Sequence, residues 1–216
     1  IDAALIKSNP NHVRARVRRI SAMIRQVEAS DRCEGCDTRV RTHLRAIESA
    51  EPNRSTAAQK HADWLVAQGK NNEAERLLGK RCEGVDDLTP CLTRRTAIAA
   101  TLKDPARLES ASRALLASAC IDAKKCAHLA TWLGDLHRKA DRHGAALTAY
   151  RRACREAPSQ STWEKLGDAC VHFGMYAEAL QAYRSAQRFT SQGDTGITKK
   201  IKQTRQKLGR RLINRP

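Results

Sequence analysis

Two stretches in the last third of the chain decide the fold. Residues 133–153 read LGDLHRKADRHGAALTAYRRA, and residues 166–186 read LGDACVHFGMYAEALQAYRSA. The second stretch repeats the first at an offset of 33 residues, with nine identities among 21 aligned positions. A fixed period of this length is typical of one supersecondary unit that is stacked on copies of itself.

Each copy predicts two helices. In the second copy a first apolar stripe at helical spacing is formed by Trp163, Leu166, Cys170 and Phe173. Gly174 interrupts the pattern, and a second stripe follows at Ala179, Leu180, Tyr183 and Ala186. Gly167 and Ala179 are small, as two closely crossing helices require, and Tyr183 is large enough to fill the space beside them. The copy therefore predicts an antiparallel helical hairpin.

The pattern resembles the tetratricopeptide repeat (TPR), whose signature is Trp-x2-Leu-Gly followed by Ala, an aromatic residue, Ala and Pro. The second copy matches at Trp163, Leu166, Gly167, Ala179, Tyr183 and Ala186. It lacks the final proline, whereas the first copy supplies Pro158 but has Ala130 in place of the tryptophan. The resemblance implies an all-α, right-handed α-solenoid of about five helical hairpins with a C-terminal capping helix. The alternative is a generic pair of antiparallel helical hairpins.

Weaker periodicity extends the scheme along the rest of the chain. We expect hairpins near residues 11–50, 55–80, 92–119, 127–157 and 160–189, and a last amphipathic helix near 195–212. The hairpin at 92–119 is degenerate, and its register stays open. Residues 1–216 are thus predicted to form a single TPR-like solenoid. We expect it to be part of a longer protein, because neither an initiator methionine nor a signal peptide is present.

The chain is strongly basic, with 40 Lys and Arg against 23 Asp and Glu and a net charge of +17. Eight of the cations lie between Lys199 and Arg215. Such a charge favours acidic partners, anionic polymers or membrane surfaces, or is a solubilising excess. A basic binder of nucleic acid or anionic polymer through this last helix is therefore an alternative function. The aromatic content of 4% counts against base stacking.

Eight cysteines form near pairs along the chain: Cys33/Cys36, Cys82/Cys91, Cys120/Cys126 and Cys154/Cys170. An even number in near pairs favours disulfides and an oxidising compartment, so we expect the protein to be extracytoplasmic, in the periplasm, in the cell envelope or secreted. The second and third pairs bracket connections between hairpins, and the first pair lies in a hairpin turn. Cys154 and Cys170 form either a fourth bond or two buried thiols.

Two other cysteine chemistries are weaker alternatives. Cys33-x-x-Cys36 matches a thiol-redox motif, but such motifs accompany a strand–helix unit that the chain lacks. Zinc sets would be Cys33, Cys36 and His43, or Cys120, Cys126 and His128, without the double Cys-x2-Cys spacing of strong zinc motifs. No nucleophile–base set, carboxylate pair or phosphate loop is recognisable. The sequence therefore predicts a protein that is not an enzyme and has no catalytic residue, cofactor or metal.

The resemblance also implies where a partner binds, because the first helix of each hairpin lines the inner face of such a solenoid. The predicted groove residues are Gln59, Lys60, Asp63, Thr131, Asp135, Arg138, Lys139, Glu164, Asp168 and His172. Three of them, Asp63, Asp135 and Asp168, recur at one register. They are either an acidic stripe that receives Lys or Arg of a protein or peptide partner, or short polar residues that the hairpin geometry requires.

Overall fold

A computed structural model of the protein describes residues 1–30, 33–102, 104–190 and 195–213. Within these residues the secondary structure consists of twelve helices, with no strand. The chain divides into two compact units, residues 1–118 and 119–216. In the described part no helix is long and apolar enough to cross a lipid bilayer.

The first unit begins with a short helix, and three helical hairpins follow. Its helices are α1 (Asp2–Ser8), α2 (Val13–Ser30), α3 (Cys36–Ala50), α4 (Thr56–Ala67), α5 (Asn71–Arg81), α6 (Leu88–Thr101) and α7 (Pro105–Ala119). The second unit holds two further hairpins and a last helix. These are α8 (Ala123–Lys139), α9 (His143–Glu156), α10 (Gln160–His172), α11 (Tyr176–Gln187) and α12 (Thr195–Ile213). The prediction of an all-α, TPR-like fold is confirmed.

Local sequence explains where the helices begin and end. Ser159 starts α10 with a capping box, in which its hydroxyl and that of Thr162 each accept from the other's backbone N–H. Gly69 and Gly174 follow α4 and α10 with φ of +75° and +71°, the left-handed conformation that glycine adopts without steric cost. In the first copy Asp141 takes the place of Gly174 and has φ of +57°.

The core of the second unit depends on two glycine–tyrosine contacts. A Cβ atom built on Gly134 would lie 2.7 Å from the ring of Tyr150, and one built on Gly167 would lie 2.5 Å from the ring of Tyr183. Both tyrosines are buried. The two glycines therefore let the helices of each hairpin approach closely enough for a tyrosine of the second helix to pack against the first, as predicted.

The first unit packs differently. A cluster that includes Ile20, Val40, Ile47 and Trp64 joins α2, α3 and α4. The indole N–H of Trp64 donates to Asp37 at 2.8 Å. Further along, the buried carboxylate of Glu75 on α5 accepts from Arg95 of α6 at 2.8 Å. The hairpins of this unit are therefore tied by polar contacts as well as by apolar packing.

The last helix packs as expected for an amphipathic cap. Ile197, Ile201 and Thr204 of α12 are buried, and Leu208 is partly buried against the same cluster. This stripe packs against α11. The apolar face of the last hairpin is thereby covered. Arg215, the last of the eight predicted cations, lies outside the described residues.

Candidate functional site

The candidate site is an open groove in the first unit. Helix α4 packs beside α2 and beside α6, so that the first helices of three successive hairpins are neighbours. Between them lies a groove of about 390 Å³. It is lined by Ser21, Ile24, Arg25 and Glu28 of α2, by Gln59, Lys60, Asp63 and Val66 of α4, and by Arg94 of α6. The three groove residues predicted for this unit therefore all lie in one site.

The charges of the groove centre on Asp63. One carboxylate oxygen lies 2.8 Å from Lys60 Nζ, and the other lies 2.6 Å from Arg94 Nε. Gln59 donates to Ser55, the residue that precedes α4. Asp63 thus sits between two cations, and the lining of the groove as a whole has three cations and two carboxylates.

Two aspartates of the second unit occupy the same register and are also engaged. Asp135 accepts from the hydroxyl of Tyr150 at 2.7 Å and lies 3.3 Å from Lys165 Nζ. Asp168 accepts from the hydroxyl of Tyr183 at 2.7 Å and lies 2.8 Å from Lys200 Nζ. In each case the tyrosine comes from the second helix of the same hairpin, and the cation comes from the helix that follows the hairpin.

The three contacts repeat one rule. Asp63 pairs with Arg94, and Asp135 and Asp168 pair with lysines 30 and 32 residues further along the chain. Each aspartate therefore bridges the first helix of one hairpin to the helix that follows that hairpin. The hypothesis of an acidic stripe that is open to a partner's Lys or Arg is not supported, because these carboxylates already have partners within the protein. The alternative, a short acidic residue required by hairpin geometry, fits the contacts.

One carboxyl and one amine of these contacts have pKa values that shift in the direction that ion pairing predicts. Burial by itself raises the pKa of Asp135, but the hydrogen bonds from Tyr150 and Lys165 outweigh it, so the pKa of that carboxyl is lowered. Burial by itself lowers the pKa of Lys200, whose Nζ lies 2.7 Å from Glu164 as well as close to Asp168. The two carboxylates outweigh that desolvation, so the pKa of Lys200 is raised overall.

Other predicted groove residues have smaller parts. Arg138 lies 3.6 Å from Asp135 on its own helix. The hydroxyl of Thr131 donates to a carbonyl of α8, Lys139 is exposed at the end of α8, and His172 contacts the ring of Phe173 edge-on. These last three residues do not join the aspartate contacts. Sequence reasoning missed the α2 side of the groove and the cations Arg94, Lys165 and Lys200. Their spacing of about 30 residues after each aspartate becomes informative only once the helices are placed side by side.

Three of the four cysteine pairs lie at bonding distance. The Cα–Cα distances are 5.4 Å for Cys33–Cys36, 5.6 Å for Cys82–Cys91 and 4.7 Å for Cys120–Cys126. All three fall within the range of about 4.4–6.8 Å that protein disulfides span. Cys82 follows α5 and Cys91 lies in α6, so this pair spans the connection between two hairpins.

The fourth cysteine pair, which the sequence left open, is not bonded. Cys154 and Cys170 are buried free thiols in the apolar cluster of the second unit. Burial raises the pKa of each to about 11, because the thiolate loses its hydration there. The two residues therefore pack as small apolar side chains, which is the second of the two predicted possibilities.

The zinc alternatives are not assembled. Nδ1 of His43 lies 3.1 Å from the guanidinium of Arg16, which places a cation directly beside this imidazole. Among the described residues, no group of three or more His, Cys, Asp or Glu side chains is arranged to hold a metal ion.

Comparison with known proteins gave structural neighbours alone. No family model and no curated protein matches the sequence. The chain is similar to MamA from Desulfovibrio magneticus RS-1, with 15% identity and a TM-score of 0.49 over 83% of this chain and 98% of that one. It is also similar to a MamA crystal structure with 17% identity and a TM-score of 0.49 over 78% and 91% of the two chains. A third similar structure is a thermophilic TPR protein from Thermus thermophilus, with 14% identity and a TM-score of 0.41 over 88% and 99%.

Proposed function

We propose that the protein is a non-enzymatic, extracytoplasmic scaffold for protein–protein interaction, and that it binds a segment of a partner protein in the groove between α2, α4 and α6. The observation that carries this proposal is the groove itself, which three successive hairpins line with apolar and charged side chains. Its volume of about 390 Å³ falls in the range of pockets that hold small ligands or a few side chains.

The side chains of the groove define the chemistry of the partner. Ile24 and Val66 offer partly buried apolar surface. Arg25 and Glu28 are exposed at the rim, and together with Lys60 and Arg94 the cations of the groove outnumber its carboxylates Asp63 and Glu28. A partner segment that places an apolar side chain next to an acidic one complements this surface in shape and in charge.

The cysteine pairs support the compartment in this proposal. Three pairs whose Cα atoms lie 4.7–5.6 Å apart need no backbone movement to form disulfides. Disulfides persist in oxidising compartments and are rare in the cytosol. A scaffold whose hairpin connections are closed by disulfides is suited to the periplasm, the cell envelope or the extracellular medium.

Site-specific photo-crosslinking in the cells that produce the protein tests the groove. A photoreactive phenylalanine analogue replaces Val66 inside the groove, and a matched control replaces Glu73, which is exposed on α5. We expect one discrete crosslinked protein from position 66, none from position 73, and loss of that product in the variant Ile24→Asp. Identical products from both positions, or a product that survives Ile24→Asp, contradict binding in the groove.

A further inference from the structure

Helix α12 presents two very different faces. Its apolar residues Ile197 and Ile201 are buried in the core of the second unit, and Leu208 packs against the same cluster. Two of its cations are also used: Lys200 pairs with Glu164 and Asp168, and Arg211 contacts the carbonyl of Gly174 and the ring of Tyr176. These two cations lie on the flank that faces α10 and its hairpin turn.

The opposite side of α12 carries cations and no acid. Five exposed cations form this outer basic face: Lys199, Lys202, Arg205, Lys207 and Arg210. With about 100° of rotation per residue, Lys199 and Arg210 lie opposite the buried stripe, Lys202 lies beside them, and the other two lie on the flanks. No ion pair or side-chain hydrogen bond of these five is found within the described residues. Their charge is therefore available to a partner outside the chain.

The composition of the outer basic face excludes several occupants. Besides the cations it carries Gln203 and Gln206, and residues 195–213 contain no acid. A packed helix of a protein partner needs apolar or small residues at the contact, which this face does not provide apart from Gly209. A second copy of the same face is repelled by its like charge. The chemistry instead fits an extended anionic surface.

We propose that the outer basic face of α12 docks the protein on an anionic phospholipid membrane. From Lys199 to Arg210 the cations span about 16 Å along a straight helix, so that several of them reach a flat array of headgroup phosphates together. Because the apolar stripe is buried in the protein, the contact is peripheral and electrostatic, without insertion into the acyl chains.

The choice of lipid over nucleic acid rests on the extracytoplasmic compartment of the proposed function, since anionic lipid is available there. It also rests on α12 itself, which has no aromatic side chain on which a base could stack. The membrane contact is a second site, because the groove of the proposed function is lined by α2, α4 and α6.

Co-sedimentation of the full chain with vesicles tests this proposal. The probes are vesicles of phosphatidylcholine alone and vesicles with about 30% phosphatidylglycerol, each at low and high salt. We expect binding to the anionic vesicles alone and release by salt. Each cation near the surface contributes about fivefold, so the variant Lys199→Gln/Lys202→Gln/Arg210→Gln should lower the partition coefficient about a hundredfold.

The matched control removes three exposed cations of the first unit, Arg14→Gln/Arg19→Gln/Arg45→Gln, and should retain most of the binding. Circular dichroism checks that both variants stay folded. Equal loss in the two variants, binding to neutral vesicles, or no binding at low salt overturns the proposal. Duplex DNA that strips the protein from vesicles at equal phosphate concentration, through the same three cations, overturns it in favour of nucleic acid. A crosslinked partner in the groove stays a separate result in every case.

Discussion

The two units solve the same packing problem with different side chains. In the second unit Gly167 of α10 lies against the ring of Tyr183 of α11. In the first unit the corresponding positions hold Ala62 of α4 and Leu78 of α5, and both are fully buried. A glycine is thus combined with a large partner and an alanine with a smaller one. The repeat therefore keeps the summed volume at the crossing rather than the identity of either residue.

The aspartate contact differs in the same way. Asp168 accepts a hydrogen bond from the hydroxyl of Tyr183 and a second one from Lys200. Asp63 has no tyrosine opposite it, because Leu78 stands there, and it is held by Lys60 and Arg94 instead. The carboxylate keeps its position in both units, while its donors change with the neighbouring residue.

The connections between hairpins differ as well. Between α5 and α6 the first unit has Cys82 and Cys91 at bonding distance, and the buried Glu75 pairs with Arg95 beside them. Between α9 and α10 the second unit has a short connection, residues 157–159, without a cysteine. In the second unit, well-matched repeats stabilise the packing of neighbouring hairpins. We infer that in the first unit a covalent bond and a buried ion pair provide this stabilisation instead.

The largest expected effect is on the first unit. The variant Cys82→Ser/Cys91→Ser should lower its free energy of unfolding by about 2–3 kcal/mol, because a closed loop of this length no longer restricts the unfolded chain. Chemical denaturation measures the loss. Reductant should destabilise the wild type and leave this connection in the variant unaffected; equal stability of the two proteins without reductant would contradict a bond at this site.

Overpacking the glycine–tyrosine crossing should come next. Gly167→Leu places side-chain atoms where the ring of Tyr183 lies and should cost about 1–3 kcal/mol, seen as a lower melting temperature. Gly144→Leu on α9 is the control, since no atom lies within 4 Å of a Cβ at that position. A melting temperature equal to that of the wild type would mean that the helices do not cross at Gly167.

A smaller effect tests whether the summed volume of the two side chains at the crossing determines stability. Gly167→Ala alone should destabilise, because its Cβ would lie 2.5 Å from the ring of Tyr183. Adding Tyr183→Leu recreates the combination found at Ala62 and Leu78, so the double variant should show a favourable coupling of about 1 kcal/mol in a double-mutant cycle. Strictly additive losses would indicate that the two units do not share this packing rule.

The smallest expected effect concerns pH. The pKa of Asp135 is lowered from the ordinary value of 3.8, so its ionised form favours the folded state. This stabilisation is present above the ordinary pKa and is lost as the pH falls through the folded-state pKa. Asp135→Asn should therefore flatten the acid side of the stability curve by less than about 1 kcal/mol, measured by urea unfolding across that range. An unchanged stability curve would show that Asp135 does not contribute to the loss of stability at acid pH.

The helices and the hairpin crossings could be predicted from the sequence, because apolar periodicity marks the helices and small residues mark the crossings. Only part of the groove could be predicted from the sequence, because α2 and α6 lack the repeat signature that marks α4. The cations Lys165 and Lys200 escaped notice since a charged residue has no periodic partner until the helices are placed side by side. For the same reason the sequence left open whether Cys154 and Cys170 bond: the answer depends on the relative depth of two packed helices.

A thiol count tests most directly the claim that covalent bonds at the helix connections hold this scaffold together outside the cytoplasm. Protein isolated from its native compartment is denatured without reductant, alkylated and weighed intact. We expect two labelled cysteines, Cys154 and Cys170, and eight labels after reduction. Peptide mapping should then find Cys82 joined to Cys91 and Cys120 joined to Cys126. Eight labels without reductant would contradict both the bonds and the extracytoplasmic compartment.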